Sequence, residues 1–256
     1  MRIELDGLRV CFGSRPVVAI DELSVGEAEI VGLAGESGSG KSMTTLAVLG
    51  LAGTVGARVS GSIKLEGREL IGLPESALRE LRGRRIAAIF QSPSLAFNPV
   101  FRVGHIVLEA LQLHGLSKGE ATDRAAAAMR EVLLPPDLLR RYPGQLSGGQ
   151  LQRVAIALAL ALGASVLLAD EPTSALDVTV QAEVLELLRD LRERDGMSIL
   201  FISHDLAVVA ELCDRVAVMR AGSIVEQGPA DQIMSAPRDP YTIDLLASVP
   251  TVGTRG

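Results

Sequence analysis

One run of eight residues constrains this chain more than any other: Gly35-Glu36-Ser37-Gly38-Ser39-Gly40-Lys41-Ser42. It fits G-x-x-x-x-G-K-[ST] and lies between an apolar strand-like run, Ile30–Ala34, and a helical stretch opening at Lys41. A strand that enters a glycine-rich turn and leaves as a helix is the building unit of a parallel α/β sheet. Gly35, Ser37, Gly38, Ser39 and Gly40 let backbone N–H groups converge on phosphate oxygens, and the following helix points its positive end at them. In such a loop Lys41 reaches the β- and γ-phosphates, and the Ser42 hydroxyl ligates Mg²⁺. The chain has only three lysines (Lys41, Lys64 and Lys118), so lysine abundance does not explain one falling here.

Two further segments carry chemistry. Leu167-Leu168-Ala169-Asp170-Glu171-Pro172 is an apolar strand that delivers two carboxylates at its C-terminal end, where ligands bind in α/β sheets. Asp170 is placed to hold Mg²⁺, and Glu171 to polarise an attacking water. An acidic pair at a strand end is commonly plain solvated loop; the phosphate loop tips the reading toward function. Leu146-Ser147-Gly148-Gly149-Gln150 then forms a second glycine-lined helix start, with Ser147 as N-cap. Its plain reading is a capped helix after a turn. A phosphate-loop kinase needs one grip only, so the second grip suggests service to the nucleotide of another copy.

These motifs, in this order, resemble the ATP-binding subunits of ABC transporters over nearly the whole chain. The resemblance implies ATP and Mg²⁺ as cofactors and ATP hydrolysis to ADP and phosphate as the reaction. It makes Ser147, Gly148, Gly149 and Gln150 part of the signature motif, Gln91 (in Phe90-Gln91-Ser92-Pro93) the Q-loop glutamine and a Mg²⁺ ligand, and Asp177 (in Ser174-Ala175-Leu176-Asp177) part of the D-loop. His204 is similar to the switch histidine, and Phe12 is a weaker match to the aromatic that stacks on adenine. Taken by themselves, Gln91 would satisfy a strand end and His204 would be structural. The implied fold is a P-loop NTPase core with a mixed or parallel sheet, an N-terminal antiparallel β subdomain and an inserted α-helical subdomain. One ATP-binding domain spans 1–250, the helical part spans about 92–163, and 251–256 is a tail. Implied too are a head-to-tail homodimer or a heterodimer with a paralogous ATPase subunit, two integral-membrane permeases, and an extracytoplasmic substrate-binding protein engaged indirectly. The expected place is the cytoplasmic face of the bacterial inner membrane.

Composition supports a peripheral, non-spanning chain. Mean hydropathy is +0.31, yet the longest apolar run, Val154–Ala169, falls short of the roughly 20 residues a spanning helix needs and is split by Gly163. The net charge of −6 argues against a nucleic-acid partner. Cys11 and Cys213 form no CxxC pair and read as small buried hydrophobes, which fits a reducing compartment. His105 and His114 read as helix-surface residues, and Arg79, Arg82, Arg84 and Arg85 as a solvated face. Strands are expected at Arg2–Cys11, Val17–Val25, Ser60–Glu66, Ile86–Phe90, Ser198–Ile202 and Arg215–Met219, and helices at Lys41–Leu51, Val178–Asp195 and Asp205–Cys213.

Phe97-Asn98-Pro99 and the tail Pro237-Arg238-Asp239-Pro240-Tyr241-Thr242, continuing to Leu245-Leu246-Ala247-Ser248-Val249-Pro250, resemble segments of the nickel, dipeptide and oligopeptide importers. Many peptide-importer subunits continue with a cysteine-bearing extension, whereas no cysteine follows Cys213 here. That difference points away from an iron–sulfur cluster and toward the shorter nickel or metallophore type. The alternative is a soluble ABC-type ATPase not coupled to transport, although such proteins usually carry two cassettes or a long coiled-coil insertion. Ser147→Arg is expected to abolish ATP turnover, measured as phosphate release. A phosphate-loop kinase, with no role for Ser147, would keep its activity.

Overall fold

The computed structural model describes residues 1–92 and 96–248. In chain order the strands are β1 Ile3–Phe12, β2 Arg15–Val25, β3 Ile30–Ala34, β4 Arg58–Leu65, β5 Arg68–Glu69, β6 Ile86–Ile89, β7 Val166–Asp170, β8 Ser198–Ser203, β9 Arg215–Arg220 and β10 Ser223–Pro229. The helices are α1 Lys41–Val48, α2 Glu75–Leu81, α3 Val103–Leu113, α4 Lys118–Glu131, α5 Gly148–Leu162, α6 Val178–Asp195, α7 Leu206–Leu212, α8 Ala230–Ser235 and α9 Pro240–Ala247. The described residues form two compact units, one of residues 1–73 with 199–248, the other of residues 74–92 with 96–198. The helices expected over 92–163 thus belong to a unit that also contains β6, β7 and α6.

The first unit holds two sheets. In the antiparallel one, ordered β2-β1-β4-β5, Leu5 faces Leu23 and Leu8 faces Ile20, all buried. Strict alternation breaks between Leu5 and Leu8, where the pairing of β1 with β4 shifts between Asp6 and Arg9; the irregularity keeps both leucines on the buried face. In the other sheet β3 lies between β8 and β9 and runs parallel to both. All residues of β3 and β8 are buried, which explains their unbroken apolar character. β9 turns back into β10 as an antiparallel hairpin. The sequence reading missed β10, whose half-buried, polar composition carries no clear period of two.

In the second unit β6 and β7 pair in parallel, Ile86 with Val166 through Ile89 with Ala169. The long apolar run resolves as expected: α5 ends at Leu162, Gly163 takes a left-handed φ of 88°, and β7 begins at Val166. Among the described residues no helix is long and apolar enough to cross a membrane. The helix expected over Lys41–Leu51 is shorter, ending at Val48, before a tight turn over Ala52–Val55.

His114 and Cys11 depart from expectation, while the arginine run and Cys213 meet it. His114 is no helix-surface residue, because its ring bridges two carbonyls, Nδ1 to Ala110 at 2.8 Å and Nε2 to Arg82 at 3.0 Å. The arginine run is a solvated face as expected, with Arg79, Arg84 and Arg85 exposed; within it Arg82 pairs with Glu75, and Arg84 donates to the His114 carbonyl at 2.5 Å. Cys213 is buried as expected, and desolvation followed by the neighbouring Asp214 charge pushes its thiol far above its ordinary value. Cys11 is only half-buried.

Phe201, facing Gly32 across β8 and β3, is among the largest fully buried side chains. Phe201→Ala is expected to cost about 3–5 kcal/mol, read as a lower urea midpoint by circular dichroism.

Candidate active site

Each unit gathers one set of the candidate residues at the C-terminal ends of its parallel strands. In the first unit, Ala34 at the end of β3 pairs with Ser203 of β8. This register brings Gly35, the first residue of the loop, and His204, the residue after β8, to the same sheet edge. His204 is exposed, and Asp205 beside it caps α7 through the Ala207 N–H at 2.9 Å.

The loop itself is tightly determined. Gly35 has φ 152°, and a Cβ there would lie 2.2 Å from the Met219 carbonyl oxygen, so only glycine fits. The buried Lys41 ammonium donates to the carbonyls of Gly35 at 2.7 Å and Glu36 at 2.8 Å, which aims it into the loop. Ser39 is buried and its carbonyl accepts the Gly222 N–H at 2.8 Å, whereas Ser37, Gly38 and Ser42 are exposed. α1 starts at Gly40 with no side-chain cap. Ser117, Ser147, Asp177, Asp205 and Asp239 each cap a helix with an oxygen, while α2, α3 and α8 open like α1 without one. An N-terminus without a side-chain oxygen keeps its N–H groups directed at an anion. Phe12 at the end of β1 is partly exposed, at 38%. Tyr241, noted in the sequence only as part of a tail motif, reaches the loop: its hydroxyl oxygen accepts the Glu36 N–H at 3.2 Å. The contact spans 205 positions of sequence, and no local pattern announces it.

In the second unit the pairing of Ile89 with Ala169 sets the segment leading to Gln91 beside Asp170 and Glu171. Gln91 Nε2 donates to Glu171 Oε2 at 3.3 Å. Asp170 is 5% exposed, while Glu171 is half-buried. Glu171 has φ 50°, a left-handed backbone that costs a side-chain-bearing residue of order 1 kcal/mol. Ser174 supports it, donating to its carbonyl from N at 3.4 Å and from Oγ at 3.1 Å. Nothing in the sequence signals that backbone strain.

The signature segment forms a reciprocal cap. Ser147 Oγ accepts the Gln150 N–H at 3.2 Å, and Gln150 Oε1 accepts the Ser147 N–H at 3.0 Å. Gly148 is exposed and Gly149 buried; a Cβ on Gly149 would lie 2.2 Å from Val180 Cγ1 of α6, so glycine allows the two helix starts to meet. Asp177 caps α6 through the Val180 N–H at 3.0 Å, which places the expected D-loop beside the signature. Arg153 of α5 pairs with Glu183 of α6 across the same seam. Of the segments singled out in the sequence, Pro93, Val249, Pro250 and the tail 251–256 lie outside the described residues.

Comparison with known proteins bears on this geometry. The family model described as ABC transporter matches residues 19–174. A Brucella abortus protein named as a peptide import ATP-binding protein is 48% identical, covering 91% of this chain and 71% of its own length. An oligopeptide transport ATP-binding protein, OppD, of Salmonella typhimurium is 43% identical, covering 99% of this chain and 78% of its own. Among solved structures, a dimeric ATP-binding cassette in a post-hydrolysis state with ADP and phosphate superposes with a TM-score of 0.76 at 28% identity, covering 89% of this chain and 98% of that one. The Clostridium perfringens cassette cbiO1, part of the ABC transporter complex cbiONQ, superposes with a TM-score of 0.80 at 25% identity, covering 91% and 90%.

Gly35→Ala must displace either the loop or the Met219 carbonyl. It is expected to abolish nucleotide retention, checked by titration with a fluorescent ADP analogue, while far-ultraviolet circular dichroism stays unchanged.

Proposed function

This chain belongs to the ABC transporter family, and on that footing we propose that it is the ATP-hydrolysing subunit of an importer whose cargo is di- or oligopeptides. It is an ABC-type ATPase with the ABC ATPase fold. The observation that carries the site reading is the Lys41 ammonium turned inward on two carbonyls of a loop whose helix has no side-chain cap. In this reading the N–H groups of Gly40 through Ser42 bind the terminal phosphates, and Lys41 neutralises charge that grows in the transition state. Glu171 orients the attacking water, and His204 contacts the γ-phosphate. The Ser42 hydroxyl, the Asp170 carboxylate and the Gln91 amide are hard oxygen donors of the type Mg²⁺ takes alongside phosphate. When bound, the ion would neutralise charge on the phosphates.

The segment Ser147–Gln150 is read as the grip on the nucleotide of a second cassette, with Asp177 alongside it. Two cassettes then close head to tail over two ATP molecules and drive two membrane permeases, with an extracytoplasmic binding protein handing over cargo. The relative with ADP and phosphate is itself a dimer, which supports this arrangement. The exposed apolar side chains Val100 and Phe101, next to the importer-like Phe97-Asn98-Pro99, suit contact with a membrane subunit. Peptide cargo rests on the names of the relatives, and on the same footing the chain works at the inner face of the bacterial plasma membrane.

Glu171→Gln leaves binding groups intact and removes the water-orienting carboxylate. Turnover should fall by about 10²–10³-fold, and Mg–ATP should convert the chain to a dimer on size exclusion; Lys41→Ala should give neither dimer nor turnover. A Glu171→Gln protein that hydrolyses ATP normally and stays monomeric would sink the reading.

A further inference from the structure

Helix α9 is fastened to the phosphate-loop unit by contacts that the hydrolytic cycle above does not use. Glu226 on β10 accepts the backbone N–H groups of Arg238 at 2.8 Å and Asp239 at 3.1 Å. Burial pulls its carboxyl upward, but those N–H groups outweigh burial and hold it below its ordinary value, so the clamp is ionised at neutral pH. Asp239 then caps α9, its Oδ1 accepting the Tyr241 N–H at 2.8 Å, and Pro240 opens the helix. The Arg220 guanidinium lies over the Tyr241 ring, 4.8 Å from its centroid. The ring is 7% exposed, and its oxygen is the acceptor for the Glu36 N–H.

The peptide units around Glu36 are therefore held on both sides. Tyr241 takes the N–H, Lys41 Nζ donates to the carbonyl, and the preceding Gly35 is pressed against the Met219 carbonyl. Fixing these peptides fixes the carbonyls of Gly35 and Glu36, and those two oxygens set where the Lys41 ammonium stands. We propose that Tyr241 is a positioning residue of the phosphate loop, through which the C-terminal helix sets affinity for a nucleoside di- or triphosphate. The proposal rests on the reading of Gly35–Ser42 as the phosphate site.

The plainer account is that Tyr241 is a buried ring that pins the tail and nothing more. Tyr241→Phe separates the two, because it keeps the ring under Arg220 and removes only the oxygen that meets Glu36. In the full-length chain, binding of a fluorescent ADP analogue should weaken about three- to tenfold, the range for one neutral hydrogen bond. KM for ATP should rise in step with much less change in kcat, because a pre-ordered loop binds substrate and transition state alike. Amide hydrogen exchange over 35–41 should quicken, with the unfolding midpoint little moved. Glu226→Gln, which weakens the clamp on α9 but leaves the phenol in place, should shift ADP affinity and loop exchange in the same direction by less. It also carries the test if Tyr241→Phe does not fold. Unchanged ADP affinity and unchanged loop exchange in the soluble variant overturn the proposal. Lys41→Ala keeps the two readings apart. Nucleotide binding that survives it defeats the phosphate-loop assignment, whereas binding lost with Lys41→Ala yet untouched by Tyr241→Phe defeats the tyrosine's role alone.

Discussion

A turn that offers its N–H groups to an anion must point its carbonyls somewhere else, and crowded carbonyls repel one another. In this chain the Lys41 ammonium answers that problem by sitting inside the turn on the oxygens of Gly35 and Glu36. A buried ammonium is itself costly unless oxygen ligands surround it. The loop and the lysine therefore stabilise each other, and the fold supplies the walls. The Met219 carbonyl closes in at Gly35, and the Gly222 N–H holds Ser39 from the turn between β9 and β10. Chemistry at the loop depends on a hairpin that touches no phosphate in the proposed cycle.

Parallel register does the rest of the assembly. Because β3 and β8 end level, at Ala34 and Ser203, the turn and His204 emerge at one edge. Because Ile89, the last residue of β6, pairs with Ala169, one residue before β7 ends, Gln91 and Glu171 come within hydrogen-bond distance although 80 residues separate them in sequence. Buried apolar strands with no alternation are the energetic source of that alignment, since sliding either strand would unpair backbone groups that no water can reach.

Much of this was legible from the residues alone. The phosphate loop announces itself through fixed spacing, the α6 boundaries Val178 and Asp195 through a helical apolar face and a closing Gly196, and the Ser147 cap through a serine ahead of a helix. These are local signals. What escaped the reading was non-local or conformational. β10 is half-buried and lacks a period, His114 bridges carbonyls from different segments, and the left-handed backbone at Glu171 is imposed by its surroundings. Tyr241 looked like a family mark in a tail until the fold carried it to Glu36.

The reciprocal cap at Ser147 and Gln150 bears on how firmly that helix end holds anything foreign. A hydroxyl oxygen that accepts from its own backbone still has its hydrogen to donate, so an incoming oxygen can be met without breaking the cap. The geometry of that helix end is therefore set before any such oxygen arrives, and little ordering is left to oppose the contact.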